Sequence, residues 1–122
     1  MTALSTSPFR ILKFLNHFYV GGTERQFIYV ANGLDRSRFA VDVACFRREG
    51  PMANSLNADV SVYTYPVGGS SYSISSVRSQ LKLLKDVRNR RVDIVHTYGW
   101  YPNVFAIPAS RLARRPTVIA SI

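Results

Sequence analysis

Short runs of β-branched and aromatic residues alternate with helical patterns along this chain, and that alternation leaves few folds open. The runs are Ile11 to Leu15, Val41 to Cys45, Val60 to Tyr65, Ile94 to His96 and Thr117 to Ile122. Each is short and mostly apolar, as strands covered on both faces are. Helical segments between successive strands act as crossovers, so the strands run parallel. The expected fold is α/β: a Rossmann-like, doubly wound parallel sheet of about five strands, ordered third, second, first, fourth, fifth. At 122 residues and 47% apolar, the chain suffices for one core and not for two. It divides into a flexible N-terminal tail over 1–9 and one α/β domain over 10–122, with no internal repeat or linker.

The helices are read from spacing. The first opens at Thr23 with Gln26 three residues on, a capping-box pair, and puts Phe27, Val30, Ala31 and Leu34 on the sheet side before Gly33 and Asp35 loosen its end. The second covers Ser73 to Arg91, with Ile74, Val77, Leu81, Leu84 and Val87 on one side and Arg78, Lys82, Lys85 and Asn89 on the other. The third runs from Pro102 to about Arg114, with Pro108 expected to kink or split it. Gly50 to Asn57 reads as a short turn of helix and Gly68 to Ser71 as a loop.

Function concentrates in Gly21-Gly22-Thr23-Glu24, between the first strand and the first helix. Two glycines allow a sharp turn and close approach of a ligand, and the helix that follows aims free N–H groups at an anion such as phosphate. The spacing is neither G-x-G-x-x-G nor G-x-x-x-x-G-K-[ST], so a dinucleotide site and an ATPase phosphate loop are both poorly supported. The expected strand order reverses between the first and fourth strands, and ligands bind beyond the carboxyl ends at such a reversal. The loops Asn16 to Gly22 and Thr97 to Tyr101 therefore face one crevice. The first brings His17, Phe18 and Tyr19 and the second Tyr98, Trp100 and Tyr101, with His96 at the strand end and Asn103 just beyond as a further cleft candidate.

Each of these residues also has an ordinary structural reading. Gly-Gly serves plain tight connections, an acid such as Glu24 suits the first turn of any helix, and His96 fits a satisfied core position. The aromatic residues offer faces for stacking on a sugar or base, or a cover for the end of the sheet. Asp93 is read as an anchor for the start of the fourth strand. With His17 and His96 alone on separate segments, no metal site is expected.

Sixteen Lys and Arg against seven Asp and Glu give a net charge of +9, which favours phosphorylated ligands, nucleic acid or an anionic membrane surface. Cys45 is the single cysteine and lies in an apolar run, so it reads as a buried thiol in a reducing compartment. No apolar stretch approaches the roughly 20 residues of a membrane span. The expected location is cytoplasmic, with peripheral contact at the inner face of the membrane as a variant of that reading.

Three segments carry a family resemblance. Phe14-Leu15 through Gly21-Gly22-Thr23-Glu24-Arg25, then Arg91-Val92-Asp93-Ile94-Val95-His96, then Arg111-Leu112-Ala113-Arg114-Arg115-Pro116-Thr117-Val118-Ile119, together resemble the N-terminal half of a glycosyltransferase family 4 enzyme, over about Arg10 to Ile122. The resemblance implies a GT-B enzyme of two Rossmann-like domains, of hexosyltransferase type. It would transfer sugar from a UDP- or GDP-sugar, commonly with retention, to a saccharide, lipid-linked or small-molecule acceptor. The amides of Gly21, Gly22 and Thr23 would face the donor diphosphate, and no metal or other cofactor is implied. His17, Glu24, His96, Tyr98, Trp100, Tyr101 and Asn103 are carried over as cleft or acceptor-side candidates, and no catalytic residue is assigned. Tyr98 stands where many members have a second histidine, and no polar residue after the fifth strand is present. The resemblance further implies that this chain is an incomplete N-terminal domain, inactive alone, whose C-terminal domain is absent or supplied by a separate chain.

Two other classes compete. Arg47 and Arg48 follow the second strand where an NADP 2′-phosphate would be met, but the first turn lacks the glycine spacing of that fold. A non-catalytic basic module would bind nucleotides, anions or nucleic acid through charge, yet the basic residues are scattered over several elements, against a dedicated nucleic-acid face.

Overall fold

The computed structural model describes residues 8–67, 74–114 and 116–121. The expectations for residues 1–7, for Gly68 to Ser71, for the Ser73 helix start and for Ile122 lie outside the described residues. The elements are β1 (Phe9–Leu15), α1 (Gly22–Gly33), β2 (Phe39–Cys45), a 3₁₀ turn (Pro51–Ser55), β3 (Ser61–Thr64), α2 (Ile74–Asn89), β4 (Ile94–Tyr98), α3 (Trp100–Ala113) and β5 (Thr117–Ser121). All strand pairs are parallel, in the order β3-β2-β1-β4-β5. β1 starts at Phe9, inside the tail read from the sequence.

β1 is central, and Ile11 to Leu15 are buried without a break. Under α2 and α3, Phe14 gathers an aromatic cluster with ring centroids 5.1 Å from Phe46, 5.9 Å from Tyr65 and 5.6 Å from Phe105. Under α1, Phe27 meets Phe18 at 6.4 Å and Tyr98 at 4.9 Å, both edge-on. Aromatic pairs in these geometries add to the burial that holds helices on a sheet. Asp93 has the anchoring role expected of it. Its backbone exchanges hydrogen bonds with Arg10 and Thr117, and its carboxylate accepts from the Arg10 N–H at 2.8 Å.

Four local expectations are corrected. The cap of α1 is Gly21, with no side-chain capping bond, so Thr23 and Gln26 lie exposed inside the first turns and form no capping box. Neither Gly21 nor Gly22 takes a positive φ; Gly21 is extended at φ −176, which any residue adopts. α2 buries Ser76, Ser79, Leu83 and Val87, while Ile74, Val77 and Leu81 are exposed. Polar bonds set that rotation: Ser79 Oγ donates to the Pro66 carbonyl, Gln80 Nε2 to the Phe105 carbonyl, and the Tyr65 hydroxyl to Asp86. α3 begins at Trp100 and continues through Pro108 without splitting. The carbonyl that Pro108 leaves without a helical donor belongs to Val104, an exposed residue that water can serve.

Candidate functional site

The glycine turn stands at the carboxyl end of β1, as the sequence requires. The Asn16 to Val20 segment before it is tied to the segment after β2. Phe18 is fully buried; its N–H donates to the Glu49 carbonyl at 2.8 Å and its carbonyl accepts from Met52 N–H at 3.0 Å. Gly50 makes this closeness possible. It sits at φ +113, and a Cβ there would overlap the Phe18 carbonyl group and the Tyr19 nitrogen. The Tyr19 hydroxyl donates to Glu49 at 2.9 Å, an interaction that raises the tyrosine pKa through the hydrogen bond and the adjacent charge.

Within the turn, Gly22 and Thr23 are exposed. A Cβ on Gly22 would meet nothing within 4 Å, whereas one on Gly21 would meet the Glu24 carboxylate. That carboxylate thus lies over the start of α1, where the helix dipole favours an anion. His17 Nδ1 is 3.8 Å from Glu24 and accepts from the Tyr19 N–H at 3.3 Å. His17, Glu24 and Tyr19 therefore form one group beside the turn.

A second group lies across β1, β4 and β5 on the side covered in part by α1. Lys13 is 1% exposed. Its ammonium is 3.2 Å from His96 Nδ1, donates to the Tyr98 hydroxyl at 2.7 Å, and stands over the rings of Phe27 at 5.3 Å and Tyr98 at 4.5 Å. Among the described residues no carboxylate pairs with it. Burial lowers its pKa to about 8. Burial, and secondarily the Lys13 charge, lowers that of His96 to about 4, so the imidazole is neutral at pH 7. His96 Nε2 lies 2.8 Å from Ser121 Oγ.

Of the residues singled out in the sequence, His96, Tyr98 and Asn103 come together here. Tyr98 ends β4 and is 9% exposed, its hydroxyl held by Lys13, so it covers the end of the sheet. Burial also raises its pKa. Asn103 accepts from Thr97 Oγ1 and donates to the Ser121 carbonyl at 3.4 Å, tying α3 to the ends of β4 and β5. Trp100 and Tyr101 occupy the first turn of α3 at 73% and 62% exposure and keep open faces. Phe27, which touches both Phe18 and Tyr98, joins the second group to the segment that carries His17 and Tyr19.

Sequence reasoning missed Lys13, Gly50 and Ser121. Lys13 carried a signal, as the one charged residue in the buried part of a central strand. Gly50 and Ser121 carried none, because their roles depend on what the fold sets against them. Cys45 is a buried thiol as expected, and burial raises its pKa. A shallow basin of about 650 Å³, lined by Arg10, Arg90, Arg91 and Asp93 among others, lies at the amino ends of the strands. It is at the opposite end of the strands from their carboxyl ends, where parallel sheets hold ligands. Among the described residues no cluster of three or more His, Cys, Asp or Glu could hold a metal, and no helix is long and apolar enough to cross a membrane.

In fold, the chain is similar to the C-terminal domain of a hydrogenase from Pyrococcus furiosus, with a TM-score of 0.51 and 12% identity over 99% of this chain and 98% of that one. Identity that low speaks for the fold alone. No curated protein matches the chain in sequence. The sequence pattern described as Glycosyltransferase Family 4 matches residues 20–122, which include the glycine turn, β4 with His96, and β5. The chain therefore belongs to glycosyltransferase family 4.

Proposed function

We propose that this chain is the acceptor-side domain of a GT-B glycosyltransferase that moves a sugar from a UDP- or GDP-sugar to a saccharide, lipid-linked or small-molecule acceptor, with retention. The donor diphosphate faces the backbone amides of Gly21, Gly22 and Thr23, and a second domain supplies the nucleotide site. As the bond from sugar to phosphate breaks, charge builds on the leaving diphosphate. Fixed N–H dipoles at the start of α1 stabilise that charge without reorganising. A diphosphate seated there displaces the Glu24 carboxylate toward His17. Trp100 and Tyr101 offer open aromatic faces to a sugar ring.

The observation that carries this reading is Gly22. Its backbone is helical and a side chain there would enter open space, so the fold does not require glycine. A ligand that approaches the backbone does. The test is an NMR titration of the ¹⁵N-labelled chain with UDP-glucose and GDP-mannose, using uridine as control. The expected result is movement of the Gly21, Gly22 and Thr23 amide signals with the diphosphate compounds alone, suppressed in Gly22→Val. Signals that move equally with uridine, or a Gly22→Val variant that responds unchanged, overturn the reading.

A further inference from the structure

A fully buried lysine in a central strand, held by two side chains and two aromatic rings with no carboxylate among the described residues, is costly to the fold. An apolar residue would fill the same position at no such cost. The proposed sugar transfer gives Lys13 no task, and its side chain is only 1% exposed. What it does touch is His96, and the direction of each hydrogen bond follows from that contact.

An ammonium has three donors and no acceptor. The nitrogen facing it, His96 Nδ1, must therefore present its lone pair, and the ring hydrogen of a neutral imidazole then sits on Nε2. Nε2–H donates to Ser121 Oγ at 2.8 Å. The serine oxygen accepts this bond, which leaves its own hydrogen to point elsewhere. Ser121 ends β5 and is only partly buried, at the carboxyl end of the sheet, where parallel sheets hold ligands. We propose that Lys13 is a positioning residue: through His96 it fixes the Ser121 hydroxyl as a hydrogen-bond donor, presented at the end of β5 to an oxygen of the bound ligand.

Among the described residues, the polar groups that face His96 are Lys13 from β1, Tyr98 from its own strand and Ser121 from β5, while α1 contributes the Phe27 ring over Lys13. The other tautomer would set Nδ1–H against the ammonium, donor against donor. The relay thus has one direction. It does not depend on which sugar is moved, or on whether sugar is moved at all, so its failure and that of the proposed function are separate results.

The decisive experiment is ¹⁵N NMR of the histidine ring nitrogens in the intact chain between pH 4 and 8, with His17→Gln to assign the two rings. The expected spectrum shows His96 neutral at pH 7, with Nε2 protonated and Nδ1 free. In Lys13→Met the His96 midpoint rises from about 4. It stays below the ordinary value of about 6.5, because burial is the larger cause of the shift and persists. A wild-type His96 carrying its proton on Nδ1, or titrating near 6.5, overturns the relay. So does a folded Lys13→Met chain in which the midpoint has not moved. If Lys13→Met does not fold, the wild-type tautomer alone decides. A lysine present only for packing would leave the tautomer mixed, which also counts against the proposal.

Discussion

The loop after β1 and the loop after β2 both carry glycine, but the fold makes opposite demands on it. Gly50 is compelled by the fold, since its backbone is left-handed and the Phe18 carbonyl group occupies the space of a Cβ. Gly21 and Gly22 have ordinary backbones, and at Gly22 the space is open. A glycine the fold demands reports on packing, whereas one the fold does not demand is free to report on a ligand. β1 repeats the contrast with a different residue type. Its neighbours in the strand are the apolar residues a central strand asks for, and Lys13 is not.

The sharpest way to break this contrast is to put the same methyl group at both glycines. Gly50→Ala should lose about 3 kcal/mol in denaturant unfolding, combining a strained φ with overlap of the Phe18 backbone. Gly22→Ala is expected to stay within about 0.5 kcal/mol of wild type. Equal losses at the two positions would remove the reason for assigning Gly22 to a ligand.

Next in size is a pH effect at Lys13. Its folded pKa of about 8 lies below the ordinary lysine value, so from pH 8 upward the folded chain has released a proton that the unfolded chain still holds. Stability then rises with pH, by at most about 1.4 kcal/mol per unit for one proton, until the unfolded lysine also titrates near 10.4. Cys45, Tyr65 and Tyr98, all shifted upward by burial, act in the opposite sense near the top of that range. The difference between wild type and Lys13→Met, measured by urea unfolding from pH 7 to 9.5, isolates the lysine. A flat difference would mean that its ammonium is not desolvated.

His96 gives the acid counterpart. Its folded pKa of about 4 lies below the ordinary 6.5, so its contribution is full above pH 6.5 and is lost as pH falls toward 4. His96→Gln should therefore unfold with a shallower pH dependence than wild type in that window. The smallest expected effect concerns the edge of the sheet. Among the described residues β5 is an outer strand with Ile119 exposed, and Ile119→Lys should reduce concentration-dependent self-association in sedimentation without changing the unfolding midpoint.

Much of the architecture was legible in the sequence because it follows from local rules. Alternating strand and helix patterns dictate parallel strands, and the order β3-β2-β1-β4-β5 is the doubly wound arrangement expected. The position of the glycine turn, the Asp93 anchor and the burial of Cys45 were readable for the same reason. The rotation of α2 was not. Its apolar spacing pointed to Ile74, Val77 and Leu81, but the hydrogen bonds of Ser79, Gln80 and Asp86 turn a different side inward, and their partners lie 13 to 25 residues away.

The sequence by itself determined the fold class and the family, since strand periodicity, turn chemistry and short motifs are properties of neighbouring residues. Only the tertiary structure decided which glycine is forced, which face of α2 is buried, and that Lys13, His96 and Ser121 form one line of hydrogen bonds. Those three residues are 83 and 25 positions apart in sequence. Parallel register places Lys13 beside His96, and His96 beside Ile119 two residues before Ser121. The direction of a hydrogen bond depends on which donor meets which lone pair, and that is settled only when three strands lie side by side.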